Sequence, residues 1–592
     1  MTTYAWVIDQ TSCIGCHACT TACKQENEVP LGVNRTWVKY VETGTFPQTR
    51  RQIAVLRCNH CAEPPCVEVC PTTAMFRRPD GIVDFDTSRC IGCKACLQAC
   101  PYDAIYIDPE EHVAQKCNFC AHRVDRGLLP SCVVVCPTES LNFGDLDDPD
   151  SRVSRLVANR PTVVRRPEQG TRPKAFYLGA TDATLDPLVP VHEASYMWSD
   201  RRTGGAKDHT AEIARWGSTT DELDLLAVAR SNGSGAGRST RAPLPVLAPA
   251  DLPLGMLKGP GVAAAGSRAA VSPVAPAMVP LERYGATGGT RQGDRPAALR
   301  MPKARVAYDV FHPRPWGWKV ALYLWTKGIG AGAFALVFLA ATLGLATPDR
   351  AVRLAAAFVS LAGIGLTTVL LVWDLKRPKR FLMIVLRPQR RSWLAIGAFV
   401  LIGYSGLLGL WFLGTWFELD AGLLTVLGWP TAALGALAAL YTAFLLGQCE
   451  ARDLWQSPSL AVSLLAHATI LGAASLLAIA LVAGAPAGIV EVGRLALVAG
   501  ALANLFILVV GEALAEHPTT NGRAAAHLLV RGPFRSNFWL GGVIAAGVVP
   551  VAIALALPAA GALLVVAGVV AAAGLLWYEL GFIAAGQAVP IS

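Results

Sequence analysis

CIGCKACLQACP, residues 90–101, holds Cys90, Cys93, Cys96 and Cys100. The spacing C-x2-C-x2-C-x3-C sets three thiolates at three corners of an iron–sulfur cube and sends the fourth, followed by proline, past a turn toward a neighbouring cube. The same spacing recurs at Cys13, Cys16, Cys19 and Cys23 (CIGCHACTTAC), where Lys24 replaces the proline. Two looser quartets complete the set. They are Cys58, Cys61, Cys66 and Cys70 (CNHCAEPPCVEVCP) and Cys117, Cys120, Cys132 and Cys136 (CNFCAHRVDRGLLPSCVVVCP). A lone pair of C-x2-C units would suit a zinc ribbon. Four quartets, two with the three-short-gap run, predict four 4Fe–4S clusters instead. Of the 17 cysteines only Cys449 stands outside this set, so a disulfide scaffold is not expected.

Around the quartets lie short strand-like runs, YAWVID, RQIAVLR, GIVDFD and AIYID. Residues 1–190 therefore read as an α+β ferredoxin-like domain of two interlocked double-cluster modules. The N-terminal stretch MTTYAWVIDQTSC has no basic region leading into an apolar run and does not read as a signal peptide. From 191 to 310 the composition changes. Between residues 231 and 300, 39 of 70 are Gly, Ala, Pro or Ser, too few large apolar groups to offset the entropy of ordering. That segment is expected to be a low-complexity linker.

Residues 311–592 form a series of apolar runs, each close to the roughly 20 residues that span a bilayer as helix. An all-α transmembrane bundle of about eight helices is predicted, its Gly and Ala content suiting close packing in lipid. Charged residues make up only 16 % of the chain, against roughly 25 % in soluble proteins, which excludes a wholly soluble protein. The net charge of +9 sits in membrane loops and the linker, so nucleic acid is not an expected partner.

The cysteine-rich region, with ACKQENEVPLGVNRTWVKYVE after its first quartet, resembles the four-cluster iron–sulfur subunit of molybdopterin oxidoreductases related to the dimethyl sulfoxide, polysulfide, formate and nitrate enzymes. The resemblance implies exchanged ligation. Cys13, Cys16, Cys19 and Cys136 would share one cube, and Cys117, Cys120, Cys132 and Cys23 its partner. Cys58, Cys61, Cys66 and Cys100 would hold a third, and Cys90, Cys93, Cys96 and Cys70 the fourth. The segments FHPRPWGWKVALYLWTKGIGAG, WDLKRPKRFLMIVLRP, YTAFLLGQCEARDLWQSP and ELGFIAAGQAVPIS resemble the polysulfide-reductase membrane-subunit (NrfD) family. That likeness implies an eight-helix, quinone-reacting anchor without haem, and places Tyr323, Asp374 and Tyr441 in its quinone pocket.

Ionisable groups within a bilayer are functional candidates in their own right. Tyr323, Lys327, Asp374, Tyr441, Glu450, His467, Glu512 and Glu579 are expected in the half of the bundle nearer the clusters. Lys327 joins the two tyrosines and Asp374 as a candidate around the quinone oxygens. The bland readings are a pairing of Asp374 with Lys376 or Arg377, packing roles for Tyr441 and Cys449, and neutralisation of a buried carboxylate by Lys327. His467 has no second intramembrane histidine suited to haem ligation.

No G-x-G-x-x-G follows a strand, and no motif binds pterin or flavin, so the chain reads as half of an oxidoreductase without its own substrate site. The expected function is electron transfer between a quinone pool, taken as menaquinone, and a separate catalytic subunit of the molybdopterin type. Two alternatives are a redox-driven proton-translocating quinone module and the anchor of a nickel–iron hydrogenase. Loops on the cluster side carry 11 Lys or Arg residues against 3 opposite, which predicts a multi-pass protein of the cell membrane with its iron–sulfur domain in the cytoplasm. A periplasmic placement is the alternative that the resemblance suggests.

Overall fold

Alternating apolar residues in YAWVID make strand β1 (Tyr4–Asp9), buried along its middle. It is the spine of the first sheet. The computed structural model describes residues 2–45, 47–190, 304–558 and 561–592. β1 runs antiparallel to β8 (Leu141–Asp145) and parallel to β10 (Ala175–Leu178), which carries β9 (Thr162–Val163) on its far edge. The second sheet pairs β2 (Thr36–Thr43) with β3 (Arg50–Arg57) over their full length. Two short ribbons, β4 (Met75–Arg77) with β5 (Val83–Phe85) and β6 (Ile105–Ile107) with β7 (Ala114–Lys116), complete the α+β domain. Strands β1, β3, β5 and β7 each lead into one cysteine quartet, so the pleat sets the direction from which each first thiolate arrives.

Most of the expected linker, residues 191–303, lies outside the described residues. Its last part is not linker. Ala304–Tyr308 forms strand β11, antiparallel to β2, with Arg305 on Glu42 at 2.9 Å. Composition hid this strand because it ends an otherwise Gly/Ala/Pro-rich segment. Asp309 and His312 follow it into the same domain. His312 Nδ1 contacts Asp103, Nε2 lies 3.3 Å from Asp309, and Asp309 lies 3.6 Å from Lys39. Burial opposes the charge on His312, but the two carboxylates outweigh it and raise its pKa to about 9.

Among the described residues eight helices then follow with bilayer-spanning length and hydropathy: Trp318–Thr342, Arg350–Asp374, Trp393–Trp416, Ala421–Gly447, Leu460–Ala483, Ala487–Leu514, Asn537–Ala556 and Gly561–Ala588. They form two four-helix halves with the same neighbour pattern, first on second, third on fourth and fourth back on first. The first and fifth helices join the halves. Their backbones approach closely where Gly332 faces Gly472; a Cβ on Gly332 would come 2.8 Å from the Gly472 Cα.

Candidate functional site

Four cavities in the α+β domain are each lined by four cysteines. Cys13, Cys16, Cys19 and Cys136 line one, and Cys23, Cys117, Cys120 and Cys132 the next. Cys58, Cys61, Cys66 and Cys100 line a third, and Cys70, Cys90, Cys93 and Cys96 the fourth. In every case three thiols come from one quartet and one from another. All the cysteines are free thiols. Among the described residues no group of three or more His, Cys, Asp or Glu gathers as a single-ion site. The quartets surround a space instead, which suits a cube bridged by its own sulfides.

The local backbone explains the cradles. The residue before the second cysteine of each quartet is left-handed: Gly15, His60, Gly92 and Phe119 have φ of 69°, 44°, 70° and 60°. In one such turn His60 N–H lies 3.5 Å from Cys58 Sγ. From strands outside the turns, Met75 N–H lies 3.5 Å from Cys70 Sγ and Ala114 N–H 3.3 Å from Cys90 Sγ. Arg57 is fully buried and donates from Nη1 to Cys132 Sγ at 3.2 Å, while its Nε and Nη2 have no partner among the described residues. A buried, unneutralised cation aimed at thiols fits an anionic cluster in that cavity.

The cavities run in order through the domain. Helix Ala18–Glu26 carries both Cys19 and Cys23, tying the first two together, while Cys66 and Cys70 flank the end of helix Pro65–Glu68 between the last two. At one end Cys16 is exposed, beside exposed Ile14, which lines the same cavity. The other end meets the membrane helices. Lys94, between Cys93 and Cys96, holds Asp374 at 2.7 Å, and the Trp316 indole donates to Cys93 O at 3.3 Å. Gln98 joins Gln587 at 2.6 Å and accepts from Arg452 at 2.8 Å.

Asp374 thus pairs with Lys94, and neither Lys376 nor Arg377 is its partner. Those two dock differently. Lys376 and Arg377 donate backbone N–H groups to Gly92 O and Ile91 O at 3.2 and 3.1 Å. Arg377 Nε reaches Glu111 O at 2.6 Å, and Arg380 reaches Thr87 O at 2.7 Å. Part of the basic loop is therefore a docking device for the third quartet.

Tyr323, Lys327 and Tyr441 converge in the bundle. Lys327 Nζ donates to Thr442 Oγ1 and lies 4.5 Å from the Tyr441 ring centroid and 6.0 Å from that of Tyr323. His467 bonds Glu579 at 3.1 Å, and Glu512 lies 3.7 Å from His517. Glu450 stands on the cluster side, pushed up to about 7 by burial and by Glu68 and Glu63. Cys449 is buried, its thiol donating to Leu445 O at 3.5 Å.

Comparison with known proteins matches this geometry. The 4Fe-4S dicluster domain covers residues 50–146, and the "Polysulphide reductase, NrfD" domain covers 308–591. The B subunit of tetrathionate reductase from Salmonella typhimurium is 45 % identical over 190 residues, which is 31 % of this chain and 76 % of that protein. The chain belongs to this family of iron–sulfur reductase subunits. The corresponding B polypeptide of Wolinella succinogenes polysulfide reductase is 42 % identical over 179 residues, covering 29 % of this chain and 92 % of that protein. Protein NrfC of Escherichia coli is 44 % identical over 176 residues, 29 % of this chain and 79 % of its own.

This iron–sulfur subunit carries its NrfD membrane anchor in the same polypeptide and is a multi-pass membrane protein. Its sequence concealed Lys94, Arg57 and the Asp309–His312 pair. A cation between the second and third cysteines of a quartet was the available signal for Lys94.

Proposed function

We propose that this chain carries electrons through four 4Fe–4S clusters between the quinone pool of the membrane and a separate molybdopterin-type catalytic subunit. One observation carries the reading: a series of four cysteine-lined cavities begins at exposed Cys16 and ends at the Lys94–Asp374 contact with the bundle. Bound clusters supply one-electron transfer over short steps. The protein holds them in line and leaves the first, at exposed Cys16 beside Ile14, open to the partner.

At the membrane end the quinone, taken as menaquinone, would sit among Tyr323, Lys327, Asp374 and Tyr441. The tyrosine hydroxyls and the Lys327 ammonium are donors for its oxygens, and Asp374 is fixed beside the third cysteine quartet. No haem is required for this path. Cytoplasmic placement of the cluster domain is supported by the loop charges. Arg377, Arg380 and Arg452 serve the domain contact, yet eight of the 11 basic residues remain against three on the opposite side.

The test is purification in mild detergent, with co-purifying subunits identified by mass and metal content. A large partner containing molybdenum or tungsten upholds the reading, and nickel transfers the chain to hydrogenases. A chain that purifies alone, with clusters that quinol cannot reduce, overturns it. Reporter fusions at residue 345 and residue 418, in loops opposite the clusters, decide the side.

A further inference from the structure

Two strands end in a buried cation that is followed at once by a cysteine. β3 ends at Arg57 before Cys58, and β7 ends at Lys116 before Cys117. Both side chains have 0 % exposure. Chain order alone would assign Arg57 to the site of Cys58 and Lys116 to the site of Cys117. The geometry crosses them over. Arg57 lines the cavity of Cys23, Cys117, Cys120 and Cys132, whereas Lys116 lines that of Cys58, Cys61, Cys66 and Cys100.

Neither charge is spread onto a carboxylate by its observed bonds. Arg57 lies over the Trp6 ring at 4.4 Å and donates to Cys132 Sγ. Lys116 Nζ donates to the main-chain oxygens of Val83 and Cys117. Lys94, the cation lining the cavity nearest the membrane, differs because Asp374 neutralises it. The two inner sites of the series thus hold positive charge without a carboxylate partner in a buried interior, where a charge acts strongly.

We propose that Arg57 and Lys116 are exchanged counter-ions of the two middle clusters, each raising the reduction potential of the cube whose cavity it lines. The inference rests on the four-cluster reading. A cube with four thiolates is an anion, and the electron it accepts adds one more negative charge. A neighbouring cation favours that reduced form, since net charge and hydrogen bonds to sulfur set the potential. Because each cation is carried by the strand feeding the other quartet, the fold locks the two inner sites into one electrostatic unit.

The test is a redox titration, followed by electron paramagnetic resonance, of the full-length chain in lipid nanodiscs. Iron content is measured alongside, and Cys120→Ser and Cys61→Ser assign the two inner signals. Arg57→Gln is expected to change the reduced-to-oxidised ratio of the Cys23/Cys117/Cys120/Cys132 cube at least tenfold toward oxidised at fixed poise, a fall of ~59 mV for one electron. Lys116→Gln is expected to do the same to the Cys58/Cys61/Cys66/Cys100 cube. Arg57→Lys and Lys116→Arg keep the charge and are expected to reverse most of the shift. A shift confined to the cube of the sequence-adjacent quartet, an equal shift in the charge-keeping variants, or no shift overturns the proposal. If Arg57→Gln loses iron, the Lys116 variants decide the crossed assignment on their own.

Discussion

Lys94 Nζ and Asp374 Oδ2 lie 2.7 Å apart, one from a cysteine quartet and the other from the last residue of the second membrane helix. They are 280 positions apart in the chain. This pair ties the α+β domain to the bundle where electrons would cross between them. Burial lowers the Lys94 pKa, and Asp374 counters that effect. Breaking a largely buried pair by removing one partner costs about 3 kcal/mol. Lys94→Gln and Asp374→Asn are each expected to slow reduction of the clusters by quinol at least tenfold, with iron content retained. The double variant should be no slower than the worse single one, because the two act as a unit. Stopped-flow reduction with a soluble quinol measures it.

The His312 site predicts a dependence on alkaline pH. Its folded pKa is about 9, raised from 6.5, so its stabilising contribution is fully present below pH 6.5 and is lost as pH rises through 9. The contribution is on the order of 3 kcal/mol for a shift of this size. Thermal unfolding between pH 6 and 10 should show the domain weakening progressively from about pH 6.5 and levelling off above pH 9. His312→Gln should be less stable at neutral pH and flatter across that range.

Gly92 has φ +70°, and a Cβ there would meet Lys376 Cβ at 2.6 Å and His112 O at 2.9 Å. Gly92→Ala therefore combines a left-handed backbone cost of roughly 1–2 kcal/mol with a clash against the docking loop. The expected result is faster proteolysis within residues 376–391, and partial loss of iron from the nearest quartet.

Cys449 separates the ligand set from the bystander. Its thiol is buried and donates to a backbone oxygen. Cys449→Ala should leave iron content unchanged. Cys136→Ser should instead alter the spectrum of the cube held by Cys13, Cys16 and Cys19, although it is over a hundred residues away in sequence.

Much of this arrangement is legible in the residues themselves. Cysteine spacing announces the quartets because thiolate geometry at a cube allows few alternatives, and long apolar runs announce the eight helices because a bilayer demands them. The contacts between the two regions are not local and left weaker traces. Nothing in residues 374–377 distinguishes Lys94 from Lys376 as the partner of Asp374, since both are lysines within reach of a helix end. Strand β11 escaped because β-pairing is decided by its neighbour β2. Its own five residues follow a segment dominated by small side chains. Arg57 and Lys116 look like ordinary strand-end cations until the crossing of the quartets brings each to the other's cavity.

The pairing of β11 with β2 moves the start of the connection between the two regions. Strand β11 belongs to the α+β domain and precedes the first membrane helix, so the covalent step from cluster domain to bundle begins at Tyr308. Covalent fusion fixes one anchor to one set of clusters, while register between them is written entirely in the docked surfaces.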